Sequence, residues 1–381
     1  MAKCALTVAE EQFRIDNVRS YCPAKRSVGN APNANQTRKY VFASGEKLLL
    51  SAKISRGSVI QTLVPADRTP DSPPTACSCS ARRGNWLTTV PREFVHRAAV
   101  AEVFLTGWSR SDDAHYSVSA QWPRGHSFFT PVSGSHYDPM LAAETIRQVG
   151  ALLAHAAFDV PLGHHFLMWG LHYSVSPARL VIGDAPATLD LDVTCTEVRK
   201  RGTQLTELRY EVVIRHSDQT IATGGAGYTC TSPTVYRRLR ARQLSGQPAP
   251  LRQSPPVPPA RVGRLSEFDV VLSPSGQRQS WQLRVNTRHP VLFDHPGDHI
   301  PGMVLLEAAR QASVALAPKH TGVLPVSVDC TFHRYAEFGS PCWIEAEPGL
   351  SDSPASEGIL RVTGHQDGET VFTATVTTSG V

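Results

Sequence analysis

Hydrophobic and polar residues alternate at period two in many short stretches of this chain, and helical spacing stands out in only two. FVHRAAVAEVFLTGW (94–108) and HYSVSAQWP (115–123) read as strands. MLAAETIRQVGALLAHAAF (140–158) reads as a helix, with Leu141, Thr145, Gln148 and Leu152 along one side. Its many small residues predict close packing on most faces. Only strand signals follow, in HFLMWGLHYSV, ATLDLDVTCTEV, LTELRYEVVIR and TIATGGAGYTC. The order then recurs. RQSWQLRVN (278–286) predicts a strand, MVLLEAARQASVALA (303–317) a helix, and LPVSVDCTFHR, PCWIEAEPG, GILRVTGHQ and TVFTATVTT further strands. A helix followed by several antiparallel strands predicts an α+β unit, a curled sheet around a helix, and the chain carries two of them.

The remaining segments lack such periodicity. Five of the seven lysines (Lys3, Lys25, Lys39, Lys47, Lys53) and four of the six asparagines (Asn17, Asn30, Asn33, Asn35) precede the Pro- and Ser-rich run ADRTPDSPPTACSCSARRG at 66–84. Residues 1–87 are therefore expected to be a poorly ordered extension, or the product of an upstream start. The expected units are 88–230 and 265–381. Residues 231–264 between them, with VYRRLRARQ and GQPAPLRQSPPVPPARVGR, read as a solvated Arg/Pro-rich linker.

Composition narrows the function classes. Hydrophobic residues make up 41% and charged residues 19% of the 381, as in globular proteins. A net charge of +5 is weak for a nucleic-acid binder of this size, and no recognition motif accompanies it. No apolar run reaches the roughly 18–20 residues of a membrane helix, and MAKCALTVAEEQF lacks a signal-peptide core, so a cytoplasmic location is expected. Cys195, Cys230, Cys330 and Cys342 fall in strand-like segments and read as reduced, buried residues.

The candidate chemistry lies in a repeat. His126, His136, Met140, Glu144, Arg147 and Gln148 recur 163 residues later as His289, His299, Met303, Glu307, Arg310 and Gln311, and Gly134 recurs as Gly297. Each copy reads H-x9-H-x3-M-x3-E-x2-R-Q. Repeated apolar positions would show only a repeated fold. Repeated His, Glu and Arg point to a repeated site, because polar groups lining a cleft are costly unless used. Glu and Arg three residues apart share a helix face, in a helix that is otherwise apolar. Glu307 and Glu144 are thus candidate general bases, with Arg310 and Arg147 beside them as two-pronged ligands for a phosphate. Gly302 and Met303 offer helix-start N–H groups to a thioester carbonyl or an oxyanion. His289, His295, His299, His126 and His136 are candidates for proton transfer, substrate hydrogen bonding or structural capping. Their spacing matches no standard metal site. The loop richer in His and Asp favours the second half. No nucleotide-binding glycine fingerprint or G-x-S-x-G elbow occurs, so no cofactor is expected.

HIPGMVLLEAARQA resembles the loop and helix of hotdog-fold enzymes that act on acyl-carrier-protein thioesters. Glu307 matches the dehydratase Glu, whereas His295 lies two residues nearer to it than the dehydratase His does. FVHRAAVAEVFLTGW, HSFFTPVSGSHYDPMLAAETIRQ, VPLGHHFLM, TSPTVYRR and HPVLFDHPGDHIPGMVLLEAARQA together resemble the A-factor biosynthesis (AfsA-type) family over about residues 88–381. The resemblance implies a tandem double hotdog, an intramolecular pseudo-dimer. It implies an acyltransferase that joins a β-ketoacyl group on acyl carrier protein to the hydroxyl of dihydroxyacetone phosphate. The phosphorylated ester then closes to a butenolide on the way to a γ-butyrolactone or furan signal. The rival readings are a hotdog dehydratase or thioesterase and a non-catalytic lactone-binding regulator. No helix-turn-helix supports the regulator.

Overall fold

The computed structural model describes residues 38–41, 47–50, 88–129, 134–246, 251–317, 323–349 and 357–380. The chain divides into two units, Met1–Ser78 and Cys79–Val381. In the first, β1 (Arg38–Val41) pairs antiparallel with β2 (Lys47–Leu50). The rest of the reading of residues 1–87 lies outside the described residues.

The second unit contains the repeat. Its first half runs β3 (Leu105–Arg110), β4 (His115–Trp122), α1 (Met140–Ala156), β5 (His165–Val175), β6 (Ala187–Arg201), β7 (Gln204–His216) and β8 (Gln219–Thr231). Two short helices follow, α2 (Pro233–Leu239) and α3 (Ala241–Gly246). The second half runs β9 (Leu272–Pro274), β10 (Ser280–Leu283), α4 (Gly302–Leu316), β11 (Val323–Phe332), β12 (Cys342–Pro348), β13 (Glu357–Gln366) and β14 (Glu369–Gly380).

All twelve strands form one antiparallel sheet, ordered β3-β4-β6-β7-β8-β5-β11-β14-β13-β12-β10-β9. Each half has the same internal order. The halves meet where β5 pairs with β11, from Ser174 opposite Ser327 to Gly170 opposite Thr331. That pairing covers an edge each half would otherwise expose. The strands form where period-two burial operates: Leu189, Leu191 and Val193 of β6 are buried while Asp192 between them faces out.

The helices form the core. Every residue of α1 from Met140 to His155 is buried except Arg147, and α4 is buried from Met303 to Ser313. Helix α1 packs on β3, β4, β5, β7 and β8, and α4 on β9 and β11 to β14. Gly150 interrupts α1 although glycine weakens a helix interior by about 1 kcal/mol. Tyr228 donates to its carbonyl at 2.7 Å, Tyr210 donates to the Ile146 carbonyl at 2.7 Å, and a Cβ on Gly150 would stand 2.3 Å from the Tyr210 oxygen. The glycine admits the two tyrosines that fix α1 to β7 and β8.

Two expectations are corrected. The strand expected over 94–108 is confined to β3; upstream the chain makes short 3-10 turns at Arg92–Val95 and Val100–Glu102. The left-handed backbone of His96, at φ 53° and ψ 51°, breaks the alternation there. The segment 231–264 is not a solvated spacer. Tyr236, Arg240 and Arg264 within it are buried. Tyr236 donates to both oxygens of Asp298 at 2.8 and 2.9 Å, and Arg240 bridges Asp298 and Glu337. Arginine-rich composition reads as wet, but carboxylates distant in sequence bury these side chains. Cys195, Cys330 and Cys342 are buried free thiols and Cys230 is partly buried, in line with the sequence.

Candidate active site

The sequence repeat becomes two matching polar clusters, each built on the second turn of a core helix. Glu144 on α1 is fully buried. Arg97 reaches it with Nε at 3.0 Å and Nη2 at 2.7 Å. Arg147 reaches it with Nε at 2.9 Å and Nη2 at 2.7 Å. Gln148 donates to it at 2.8 Å while also holding the Glu102 carbonyl and the Phe104 N–H. Glu307 on α4 is equally buried. Arg264 grips it bidentately at 2.8 and 2.6 Å, Gln311 donates at 2.6 Å and Arg310 stands at 3.4 Å.

The arginines also cross between the halves. Arg97 donates to the Val291 carbonyl in the second half at 2.9 Å, and Arg264 donates to the equivalent Phe128 carbonyl in the first. The two clusters therefore bind each helix to the loop of the opposite half.

Burial pushes the Glu144 carboxyl upward, but the adjacent Arg147 and Arg97 guanidiniums outweigh it and hold the group at about 2. A carboxylate held so low stays anionic at neutral pH. Its geometry is that of an anchor for two guanidiniums.

The clusters differ at two equivalent positions. Where the second half has Pro301, the first has Asp138. Asp138 is buried, lies 3.6 Å from Arg264 and 3.7 Å from Arg310, and accepts the Met140 N–H at 2.9 Å. It caps the start of α1 and supplies a second negative charge to the Glu307 cluster, so two arginines face two carboxylates. Pro301 provides neither service: it gives α4 no side-chain cap, and Gly302 and Met303 begin the helix with N–H groups that have no intrahelical acceptor. The Glu144 cluster has two arginines on one carboxylate. Among the described residues Arg147 Nη1 has no hydrogen-bond partner. The second difference is that Gly263 ends the 3-10 turn before Arg264, whereas His96 ends the one before Arg97, both left-handed.

A cavity of about 550 Å³ opens beside the Glu144 cluster. Its polar wall from the first half includes His96, Arg97 and Arg147. The second-half loop contributes Asp294, His295 and His299, and the start of α4 contributes Gly302 and Met303. Phe166, Leu167, Met168, Leu305, Leu306 and Phe332 give it an apolar side. Asp294 is held by the backbone N–H groups of Ala98 and Ala99 and lies 3.5 Å from the His295 ring. His299 pairs with Asp298 at 2.7 Å. Burial raises the Asp298 carboxyl, but the bonds from His299 and Tyr236 and the nearby Arg240 bring it well below the usual range.

The site residues expected from sequence separate accordingly. Arg147, His295, His299, Gly302 and Met303 line the cavity. Glu144 stands directly behind Arg147. Glu307 and Arg310, expected beside His295, are instead closed off by Arg264 and Asp138, so the cavity combines a first-half helix with a second-half loop. His126 and His289 fold their own loops: Nδ1 of His126 accepts from Phe128 and Phe129 N–H groups at 3.1 Å, and Nδ1 of His289 from Val291 and Leu292 at 3.2 and 3.0 Å. Their Nε2 atoms face Glu102 and Asp269 at 3.4 and 3.2 Å. His136 pairs with Ser135 at 2.9 Å and does not line the cavity. Among the described residues no three His, Cys, Asp or Glu side chains group as metal ligands, and no helix is long and apolar enough to cross a membrane.

Sequence reasoning missed Arg97, Arg264, Asp138 and His96. A signal for the arginines exists: V-P-x3-V-x-R occurs from Val90 to Arg97 and again from Val257 to Arg264, 167 residues apart.

The A-factor biosynthesis hotdog domain (AfsA) matches residues 80–232 and 246–381. A 2-oxo-3-(phosphooxy)propyl 3-oxoalkanoate synthase of Streptomyces virginiae is 55% identical over 294 residues, covering 77% of this chain and 98% of that protein. One of the same name from Streptomyces griseus is 42% identical over 282 residues, covering 74% of this chain and 92% of the other. Among solved structures, an acyl-ACP thioesterase from Bacteroides thetaiotaomicron matches with TM-score 0.40 and 10% identity, over 69% of this chain and 98% of that one. With both halves matched and the sheet and helices in the expected order, this chain belongs to the A-factor biosynthesis hotdog family.

Proposed function

We propose that this chain is an acyltransferase making a 2-oxo-3-(phosphooxy)propyl 3-oxoalkanoate, from a β-ketoacyl thioester on acyl carrier protein and the hydroxyl of dihydroxyacetone phosphate. The observation that carries the reading is the cavity between the halves. It joins an apolar wall, an uncommitted guanidinium edge and an uncapped helix start. The apolar side suits the acyl chain. Arg147, fixed by Glu144, suits the phosphate, because guanidinium geometry matches phosphate oxygens. The Gly302 and Met303 N–H groups suit the oxyanion that forms when the thioester carbonyl is attacked. Attack by an alcohol needs no catalytic Ser or Cys. The relatives carrying the synthase name extend over nearly their whole length, which supports the same reaction here.

The test is to incubate the purified protein with a β-ketoacyl thioester, with and without dihydroxyacetone phosphate. Thiol release that depends on the triose, with the phosphorylated ester found by mass spectrometry, is the expected result. Equal release in its absence would mean hydrolysis and would favour a thioesterase.

A further inference from the structure

Resting on that proposed reaction, the hydroxyl of the triose must lose a proton, and Glu144, fully buried behind Arg147, does not line the cavity. Another group in the same cavity is better arranged. His155 Nδ1 lies 2.7 Å from the Val160 carbonyl oxygen, which can only accept. Nδ1 of His155 therefore carries a proton, and the neutral ring presents a bare Nε2. That atom is 2.8 Å from Nε2 of His96, so His96 is the donor there. The proton of His96 is thus committed to Nε2, and its Nδ1 keeps a lone pair with no partner among the described residues.

The surroundings keep both rings neutral. Phe166 stacks on His96 with centroids 4.7 Å apart, and Phe94 stacks on His155 at 5.8 Å. Burial lowers His96 to about 3, helped by Arg147 and His155 of α1, His295 of the second-half loop and His165 of β5. Burial also lowers His155. The Arg147 guanidinium, which disfavours an imidazolium at His96, also favours an alkoxide forming next to it.

The backbone supplies an independent argument. A left-handed conformation costs a residue with a Cβ about 1 kcal/mol or more, and glycine nothing. The closed half uses Gly263 for this turn, and the open half uses His96. The turn alone does not require an imidazole.

We propose that His96 is the catalytic base of ester formation and that His155 positions it. As the triose oxygen bonds to the thioester carbon, Nδ1 of His96 takes the hydroxyl proton and its Nε2 proton shifts toward His155. The carbon–sulfur bond then breaks, and the proton passes back through His96 to the departing thiolate, so no other reactant is needed.

The closing experiment pairs kinetics with nitrogen NMR on protein labelled in its histidines. Asparagine tolerates the left-handed backbone, so His96→Asn should keep the wild-type melting temperature. It should lower kcat by about 10²-fold or more while KM for the triose phosphate changes by less than about threefold. His155→Asn should lower kcat by about tenfold. In the wild-type spectrum His96 should show a bare Nδ1 and His155 a bare Nε2. A kcat for His96→Asn within about threefold of wild type, or a protonated His96 Nδ1, would overturn the proposal. Failure of the wild-type protein to form any ester would instead sink the proposed function, and the role of His96 with it.

Discussion

Glu144→Gln is expected to remove about 3–5 kcal/mol of folding stability and to abolish ester formation. The carboxylate is fully buried and, among the described residues, is the sole direct ion-pair partner of both Arg97 and Arg147. An amide in its place leaves a buried and a half-buried guanidinium without that counter-charge, Arg97 still tied to the Val291 carbonyl of the opposite half and Arg147 to the Val95 carbonyl of its own. Glu307→Gln is expected to be milder, about 2–3 kcal/mol, because Asp138 still faces Arg264 and Arg310. Its folded fraction should keep a kcat near wild type. Denaturant unfolding and kcat, measured on both variants, separate the two sites. Loss of kcat in Glu307→Gln but not in Glu144→Gln would reverse the assignment.

The same carboxylate sets an acid limb. The folded Glu144 titrates at about 2, below its ordinary 4.5, so its contribution is fully present above pH 4.5 and disappears as pH falls to 2. The shift corresponds to about 3 kcal/mol. The stability gap between wild type and Glu144→Gln should therefore narrow over that window and hold constant above it.

Arg147→Ala is the second large effect. In the proposed site its free Nη1 meets the phosphate, so kcat/KM for the triose phosphate should fall by about 10²–10³-fold. Arg147→Lys should restore only part of this, since an ammonium keeps the charge but not the fork that grips Glu144 while leaving an edge for substrate. Arg310→Ala, in the closed cluster, should change the same constant by less than about threefold. Equal losses in the Arg147 and Arg310 variants would mean that both halves bind substrate.

Much of this was legible in the sequence. The two helices and most strands follow from apolar spacing, because burial along α1, α4 and the central strands is nearly strict. The repeated His, Glu, Arg and Gln positions were legible because they share one ungapped offset. Arg97 and Arg264 escaped notice because each meets its carboxylate across 47 and 43 residues. A different offset also separates them from the main repeat. The replacement of Asp138 by Pro301 is visible once the halves are aligned. Its meaning appears only when folding sets Asp138 beside arginines of the other half. Composition misled at Arg240 and Arg264, whose burial depends on Asp298, Glu337 and Glu307, all supplied by the second half.

The most direct test of the central claim is a crystal structure with dihydroxyacetone phosphate or the phosphorylated ester bound. The account predicts the phosphate within hydrogen-bond distance of Arg147, in the cavity walled by His96, His295 and the start of α4. A phosphate against Arg310 and Arg264, with Asp138 displaced, would contradict it.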